Sequence, residues 1–512
     1  MGTFSPCRCE NAPTRLAPMS ESLPHRRATR VLPGAHTLVA LAVGGIVMAI
    51  ALGRGLTDPD YFWHVTTGEL IARTGAVPSV DPFSFTWQGM PWTPHEWLSE
   101  LLTFALVSTF GETATLAIFS ALPAVTLVVI AGTLAKLGVR TLAQAPVLAL
   151  TGLMTASYLT VRPQAISWLL LAILIRFLAS ASAESPRRLL WIAPLFVLWA
   201  NLHGLYVIGI GVVVAYALFS VIGRTPMAPR RGWALGAIGL AIAGAMATPA
   251  GPLGVLYPLR YSQQWGLEHI QEWQSPNFHA PAHWPFLALI VAAGLNGGRN
   301  TPGWLVALSW IGIVLGLVAL RNVPIAAVLT FPTLALGVDD RLRARLARRN
   351  VRPMPPSVAL GRRVLELATA AFVALAALII FAPHGLGEGS ERKVAAKYPV
   401  QAVDWLEANR PATNVLAEYG WGGYVIHELY PFGGRVFVDG RNDMYDQQIL
   451  EDYDAIKAAA PDWEGLAASY GVDALLLQPT AAVTRGPAAA AGWCEAYSDG
   501  QQILLLRSCP PE

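Results

Sequence analysis

Seven stretches of this sequence, 35–53, 113–135, 144–160, 164–182, 204–222, 303–320 and 364–382, are apolar and near or above the length that crosses a bilayer. In hydrocarbon every backbone N–H and C=O must be satisfied within the protein, so runs of this length and character point to a helix bundle. Composition agrees, with 54% of residues hydrophobic and 13% charged; a soluble domain carries about 25% charged residues. The first run starts late, is long and is followed by no small-residue cleavage site, so it reads as a retained span and not as a signal peptide. The formal net charge of +3 makes no case for a nucleic-acid partner. The partner that composition implies is the lipid bilayer.

Basic residues in short loops mark the cytoplasmic side. Arg26, Arg27 and Arg30 precede the first run, in a Pro- and Arg-rich tail over 1–34 that reads as disordered. The N-terminus is therefore expected inside and the loop 54–97 outside. Lys136 and Arg140, Arg187 and Arg188, and Arg224, Arg230 and Arg231 mark further inside loops. The Arg-rich stretch 341–352, with Arg362 and Arg363 behind it, is the strongest such mark, and the run 364–382 then exits outward. The expected fold is a polytopic α-helical membrane protein of about eleven to thirteen spans, N-terminus in and C-terminus out. The count turns on Trp97 to Phe110, whose helix is only about 21 Å long and suits a re-entrant or interfacial segment. The transmembrane domain covers 35–385, with outer loops 54–97 and 250–283. Beyond it, 386–512 alternates strands (414–418, 434–438, 473–478) with helices (400–409, 420–429, 446–458, 462–470) and closes on a hairpin near 494–507. That pattern reads as a small soluble α/β domain.

Loop 54–97 carries more acids and aromatics than a connection needs. Pro59 fixes its own φ and holds Asp58 extended. Residues two apart in an extended chain share a face, so the carboxylates of Asp58 and Asp60 converge. A carboxylate among apolar headgroups, unless paired or liganded, has a raised pKa and is poised as a general base. Residues 61–73 follow as a short amphipathic helix, with Tyr61, Phe62, Val65 and Ile71 toward the membrane interface and His64 one turn after Asp60. The plainer alternative is that Asp60 caps this helix and Asp58 is solvated. His95 and Glu96, at the mouth of the next segment, are expected to pair with the two aspartates across the loop, as base partner or metal ligand; the alternative is that Glu96 merely favours a helix start. Asp81-Pro82-Phe83-Ser84 reads as an Asx-type turn.

In this topology Arg162, His203 and Arg321 fall at an outward membrane edge. Charged and polar groups near spans are costly, which makes them functional candidates. Two arginines on the side of the acidic loop suit a phosphate or pyrophosphate, the alternative being snorkelling to the interface. Glu272 and His279 in the second outer loop are further candidates. Glu418–Tyr424 and Val438–Asp443 end two of the expected strands, where ligands often sit in open α/β sheets. Their glycines lack the spacing of a nucleotide fingerprint. Cys494 and Cys509 flank the closing hairpin, and their spacing allows a disulfide without demanding one; Cys7 and Cys9 lack the second pair of a zinc finger.

The order cytoplasmic N-terminus, one span, outer loop opening on paired acids, interfacial helix, many spans and an outer C-terminal domain resembles the GT-C superfamily of membrane glycosyltransferases. Its members include protein O-mannosyltransferases, aminoarabinose transferases and oligosaccharyltransferase catalytic subunits. The motifs Asp58-Pro59-Asp60-Tyr61-Phe62-Trp63-His64, Asp81-Pro82-Phe83-Ser84-Phe85-Thr86, His95-Glu96-Trp97, Asn201-Leu202-His203-Gly204, Tyr419-Gly420-Trp421-Gly422-Gly423-Tyr424 and Asp439-Gly440-Arg441 resemble a large group of bacterial glycosyltransferase-like membrane proteins, over most of the chain past residue 54. The Trp-Trp-Asp signature of oligosaccharyltransferases is missing, and Gly420-Trp421-Gly422 only echoes it.

The resemblance implies an inverting glycosyltransferase of the bacterial inner membrane, moving a sugar from a polyprenyl-phosphate carrier to an extracytoplasmic glycan, lipid or protein acceptor. Asp58 and Asp60 match the acidic catalytic position of the first outer loop. His64, His95, Glu96, Arg162, His203, Glu272 and Arg321 are the expected substrate-binding residues, the two arginines facing the lipid-linked phosphate. A divalent metal ion is a candidate cofactor. Two other classes are weighed against this one. A transporter or flippase with an outer sensing domain calls for ionisable residues at mid-membrane and paired repeats of broken helices. A non-catalytic, lipid-binding member of a glycan-assembly complex calls for donor-lipid binding without turnover.

Overall fold

The computed structural model describes residues 35–181, 185–222, 231–261, 270–295, 301–349, 371, 374–380, 382–384 and 386–509. The tail with Cys7, Cys9 and its arginines, Arg224, Arg230, Arg362, Arg363 and most of the run 364–382 lie outside the described residues. Residues 35–512 form one compact unit. Helices dominate it, beginning with α1 (Ala35–Leu52), α2 (Tyr61–Thr74) and α3 (Trp97–Lys136). Helix α1 packs on α3 and on Thr141–Ser157, and Gln164–Ser180 and Val323–Arg349 complete the centre of the bundle. Trp168, Phe196, Trp199, Tyr216 and Phe331 fill its core.

Three described helices, Ala35–Leu52, Trp97–Lys136 and Leu320–Arg348, are long and apolar enough to cross a membrane. Gln164–Ser180, Tyr206–Val221 and Gly303–Val318 are apolar but shorter. The apolar runs thus overstate helix length, because polar breaks such as Arg162-Pro163 and Asn201 to Gly204 end helices inside or beside them. Trp97–Phe110 does form a helix, joined end to end with the next one. The join is Gly111, at φ 80° and ψ 169°, a backbone state that a side chain disfavours.

The C-terminal part holds a five-stranded sheet of β1 (Asn414–Ala417), β2 (Arg435–Val436), β3 (Ala474–Leu477), β4 (Cys494–Ser498) and β5 (Ile503–Leu506), in the order β2-β1-β3-β5-β4. Strands β2, β1 and β3 run parallel, while β5 and β4 close the sheet as an antiparallel hairpin. Cys494 and Cys509 are joined as a disulfide, with Cα atoms 5.5 Å apart. Val415, Leu475 and Leu505 share one core with Leu56, Phe62, Phe83 and Trp92 of loop 54–97. The loop also extends the sheet at its β2 edge: Ser84 bridges to Val436, whose N–H donates to the Phe83 carbonyl at 3.2 Å.

This docking changes the reading of α2. Its apolar face is covered by protein. Tyr61 through Gly68 are all buried. Phe62 makes edge-on ring contacts with Tyr398 and Tyr424, at 5.1 and 5.0 Å. The helix is wedged between α3 and the C-terminal Gly422–Leu429 helix, so residues that read as a lipid-facing stripe pack against protein.

The Asx turn at Asp81 is as expected, accepting from the N–H groups of Phe83 and Ser84 at 3.0 Å each. Asp81 has a second task. Arg441, fully buried, lies 2.6 Å from Asp81 Oδ1 and 2.6 Å from Asp439 Oδ2. Its guanidinium lies over the rings of Phe83 and Trp92, at 4.9 and 4.7 Å. A buried charge without partners is prohibitive, so this group locks the loop to the sheet only as a complete set.

Candidate functional site

Where the helix bundle, loop 54–97 and the turns after β1 and β2 meet, they line a cavity of about 460 Å³. Asp60, His64, His95, Glu96, Arg162, His203, Glu272 and Arg321 all line it. Asp58, the remaining acid of the sequence reading, is buried directly behind them at 3% exposure. The C-terminal part contributes Tyr419, Gly440, Asn442 and Asp443. His279, the further candidate of loop 250–283, is not among the lining residues.

One half of the site is a carboxylate cluster on Arg162. Its Nε lies 2.6 Å from both oxygens of Asp58, its Nη2 3.0 Å from Asp60 Oδ2, and its Nη1 3.0 Å from Glu272 Oε2. Asp58 Oδ1 also accepts from the Asp60 N–H at 2.9 Å, the local geometry that Pro59 sets. Asp60 Oδ1 accepts from Trp63 Nε1 at 3.2 Å, and Glu272 Oε1 is 3.5 Å from Arg321 Nη1. Asp60 precedes α2 but makes no side-chain cap bond. Its carboxylate is turned to the cluster, so the capping alternative does not hold.

Burial drives both aspartates up, and Arg162 opposes this. The balance leaves the Asp58 carboxyl below its ordinary range, held by charge and hydrogen bonds from Arg162. It leaves Asp60 above the ordinary range, because the Asp58 charge adds to burial. Gly440 sets how closely the sheet approaches: a Cβ there would lie 2.2 Å from Asp60 Oδ1.

The other half is a glutamate caged by histidines. Glu96 does not pair with the aspartates as expected. Its Oε1 lies 3.2 Å from His203 Nε2 and 3.4 Å from His95 Nε2, and its Oε2 lies 3.6 Å from His64 Nε2. Leu205 N–H donates to His203 Nδ1 at 3.1 Å, so that nitrogen carries no proton and Nε2–H points at Glu96. The Ser167 hydroxyl, 3.0 Å from the same Nδ1, itself accepts from Trp199 Nε1 at 2.8 Å. Burial pulls His203 down to about 4, keeping it neutral. Burial also opposes charge on His95, but Glu96 overrides it and raises that ring to about 9. Glu96 is held well below the carboxylate range, because His203 and His95 outweigh its burial. Asp443 is pushed up by burial to about 6, with His95 pulling the other way.

The arginines also differ from expectation. Arg162 is committed to three acids and not open toward an anion. Arg321 stacks over the Trp273 ring at 4.4 Å and has its carboxylate contact at 3.5 Å. Asp443 and Tyr419 were visible in the sequence only as members of strand-end turns, and Trp273 only as an outer-loop aromatic. Among the described residues no group of three or more His, Cys, Asp or Glu is arranged to hold a metal ion.

No protein-family model matches the chain. No curated protein matches it in sequence. Its structure is similar to the archaeal oligosaccharyltransferase AglB from Archaeoglobus fulgidus in complex with an inhibitory peptide and a dolichol-phosphate. The TM-score is 0.51 at 13% identity, covering 92% of this chain and 74% of that one. It is similar also to the apo form of the Archaeoglobus fulgidus oligosaccharyltransferase, at TM-score 0.52 and 12% identity, over 86% of this chain and 69% of that one. The likeness is one of fold: the chain has an oligosaccharyltransferase-like architecture, with apolar helices of a membrane protein and a small C-terminal sheet.

Proposed function

We propose that the chain is an inverting membrane glycosyltransferase, moving a sugar from a polyprenyl-phosphate carrier to an acceptor on the extracytoplasmic side of a bacterial inner membrane. The observation that carries this reading is one cavity lined by Asp60, Arg162, Arg321 and the histidine-caged Glu96. The fold likeness supports it, and the dolichol-phosphate in one archaeal structure supports a lipid phosphate as the donor's leaving group. The topology with the N-terminus in and the C-terminus out, and the division near residue 385, belong to the same reading.

In the proposed step an acceptor hydroxyl oxygen attacks the anomeric carbon. The bond from that carbon to the carrier's phosphate oxygen breaks with inversion. The hydroxyl proton passes to Asp60, and the phosphate leaves as an anion. Asp60 suits the base role because it faces the cavity and its carboxyl is raised, nearer to working pH. Asp58 suits a holding role, ionised and fixed behind it on Arg162. Arg321 meets the charge that develops on the leaving phosphate, in a donor geometry that stacking on Trp273 pre-sets.

Asp60→Asn is expected to slow transfer at least about a hundredfold while the thermal unfolding temperature in detergent stays within a few degrees. Full transfer activity in both Asp60→Asn and Asp58→Asn would remove this mechanism.

A further inference from the structure

An Asp-x-Asp pair at the edge of a phosphate site raises the question of which cation neutralises it. Two carboxylates and a third from a neighbouring loop are typical oxygen ligands for Mg²⁺ or Mn²⁺. Here the three nitrogens of one guanidinium meet three different carboxylates, those of Asp58, Asp60 and Glu272, at 2.6 to 3.0 Å. All six carboxylate oxygens are engaged. Both Asp58 oxygens face Arg162 Nε, the Asp60 oxygens face Arg162 and Trp63, and the Glu272 oxygens face Arg162 and Arg321. The arginine arrives from the short turn between helices Thr141–Ser157 and Gln164–Ser180, and its side chain is 18% exposed. It is no swinging surface residue.

We propose that Arg162 is the resident cation of this carboxylate cluster, holding by hydrogen bonds the geometry that a divalent ion would impose by coordination, and that the site works without a metal. The physical contrast is clear. An ion needs lone pairs turned to a common centre and ligands at about 2.0–2.6 Å. A guanidinium needs its acceptors spread in one plane at hydrogen-bond distance. The distances and the one-nitrogen-per-carboxylate pattern are those of the second case. A further consequence concerns substrate. With no metal to bridge a phosphate to the aspartates, the anionic group of the substrate must be met by fixed side-chain cations, of which Arg321 is the one stacked at the cavity wall. That catalytic consequence rests on the glycosyl-transfer reading; the cation assignment does not.

The test is Mn²⁺ binding to the purified full-length protein in detergent, read from loss of the free-ion electron paramagnetic resonance signal. The wild type is expected to leave the signal unchanged after allowance for an Asp60→Asn control. Arg162→Ala releases three carboxylates and is expected to gain at least about tenfold in Mn²⁺ affinity, about 1.4 kcal/mol, and the double variant with Asp60→Asn is expected to lose that gain. A wild type that takes up one Mn²⁺ per chain, lost in Asp60→Asn, overturns the proposal, and so does a folded Arg162→Ala with no gain. Should Arg162→Ala fail to fold, the wild-type and Asp60→Asn comparison decides alone. Transfer activity is measured in parallel before and after chelator treatment. Loss on chelation with recovery on Mn²⁺ overturns metal independence. A protein that transfers nothing under any condition counts against the glycosyl-transfer reading and leaves the Mn²⁺ result standing.

Discussion

At the residue scale, the site divides its acids by environment. Asp58, Asp60 and Glu96 are all acidic residues of one loop, yet they meet different partners. Arg162 takes the first two, and three imidazoles surround the third. The consequence most open to measurement is at His95. Its raised value, about 9 against an ordinary 6.5, means the folded state binds its proton more tightly than the unfolded one. The resulting stability is fully present below pH 6.5 and is lost as pH rises through 9. We expect unfolding free energy to fall by about 1–2 kcal/mol across that window, allowing for partial solvent screening of His95. His95→Gln should flatten the slope. A wild-type curve already flat from pH 6.5 to 9 would contradict the assigned contact with Glu96.

At the element scale, the turn after β2 is built to touch α2. Gly440 leaves room for Asp60, and Gly440→Ala puts a methyl where a carboxylate oxygen lies, 2.2 Å away. We expect that variant to fold and to lose at least about tenfold in transfer rate, since angstrom-level misplacement of a reacting group costs at least that much; unaltered kinetics would show that Asp60 is not held from this side. The elements themselves were largely legible. In 386–512 each expected strand and helix has its counterpart, because short, continuously apolar runs bounded by turn residues alternate there with longer helical stretches. Most residues that line the candidate cavity were legible too, since acids and arginines beside apolar runs have few structural uses. What the pattern did not disclose was pairing. Sequence proximity suggested that Glu96 would meet Asp60, whereas the fold turns it to His203, more than a hundred positions away. The stripe on α2 looked like a lipid-facing surface because burial against protein and burial against lipid leave the same apolar trace. Apolar runs likewise overstated helix length, for a polar break such as Arg162-Pro163 at an edge ends a helix without ending the hydrophobicity.

At the scale of the whole molecule, the cavity forms where the C-terminal sheet docks on loop 54–97, and Arg441 is one tie between them. Arg441→Leu leaves Asp81 and Asp439 buried and unpaired, and we expect a loss of about 3–5 kcal/mol of stability. Arg441→Lys should not restore it, since an ammonium lacks the planar fork that serves two carboxylates at once. Melting curves of the purified protein check both, and a wild-type melting temperature in Arg441→Leu would mean the tie is dispensable.

The central claim is that this composite cavity takes the phosphate of a polyprenyl carrier. The direct measurement is a structure of the full-length protein in lipid with a polyprenyl-phosphate analogue. The account predicts the phosphate in hydrogen-bond contact with Arg321, on the cavity side of Asp60, with the prenyl tail running along the helix bundle. Phosphate density at any other surface, with the cavity between Asp60 and Arg321 holding only water, would contradict it.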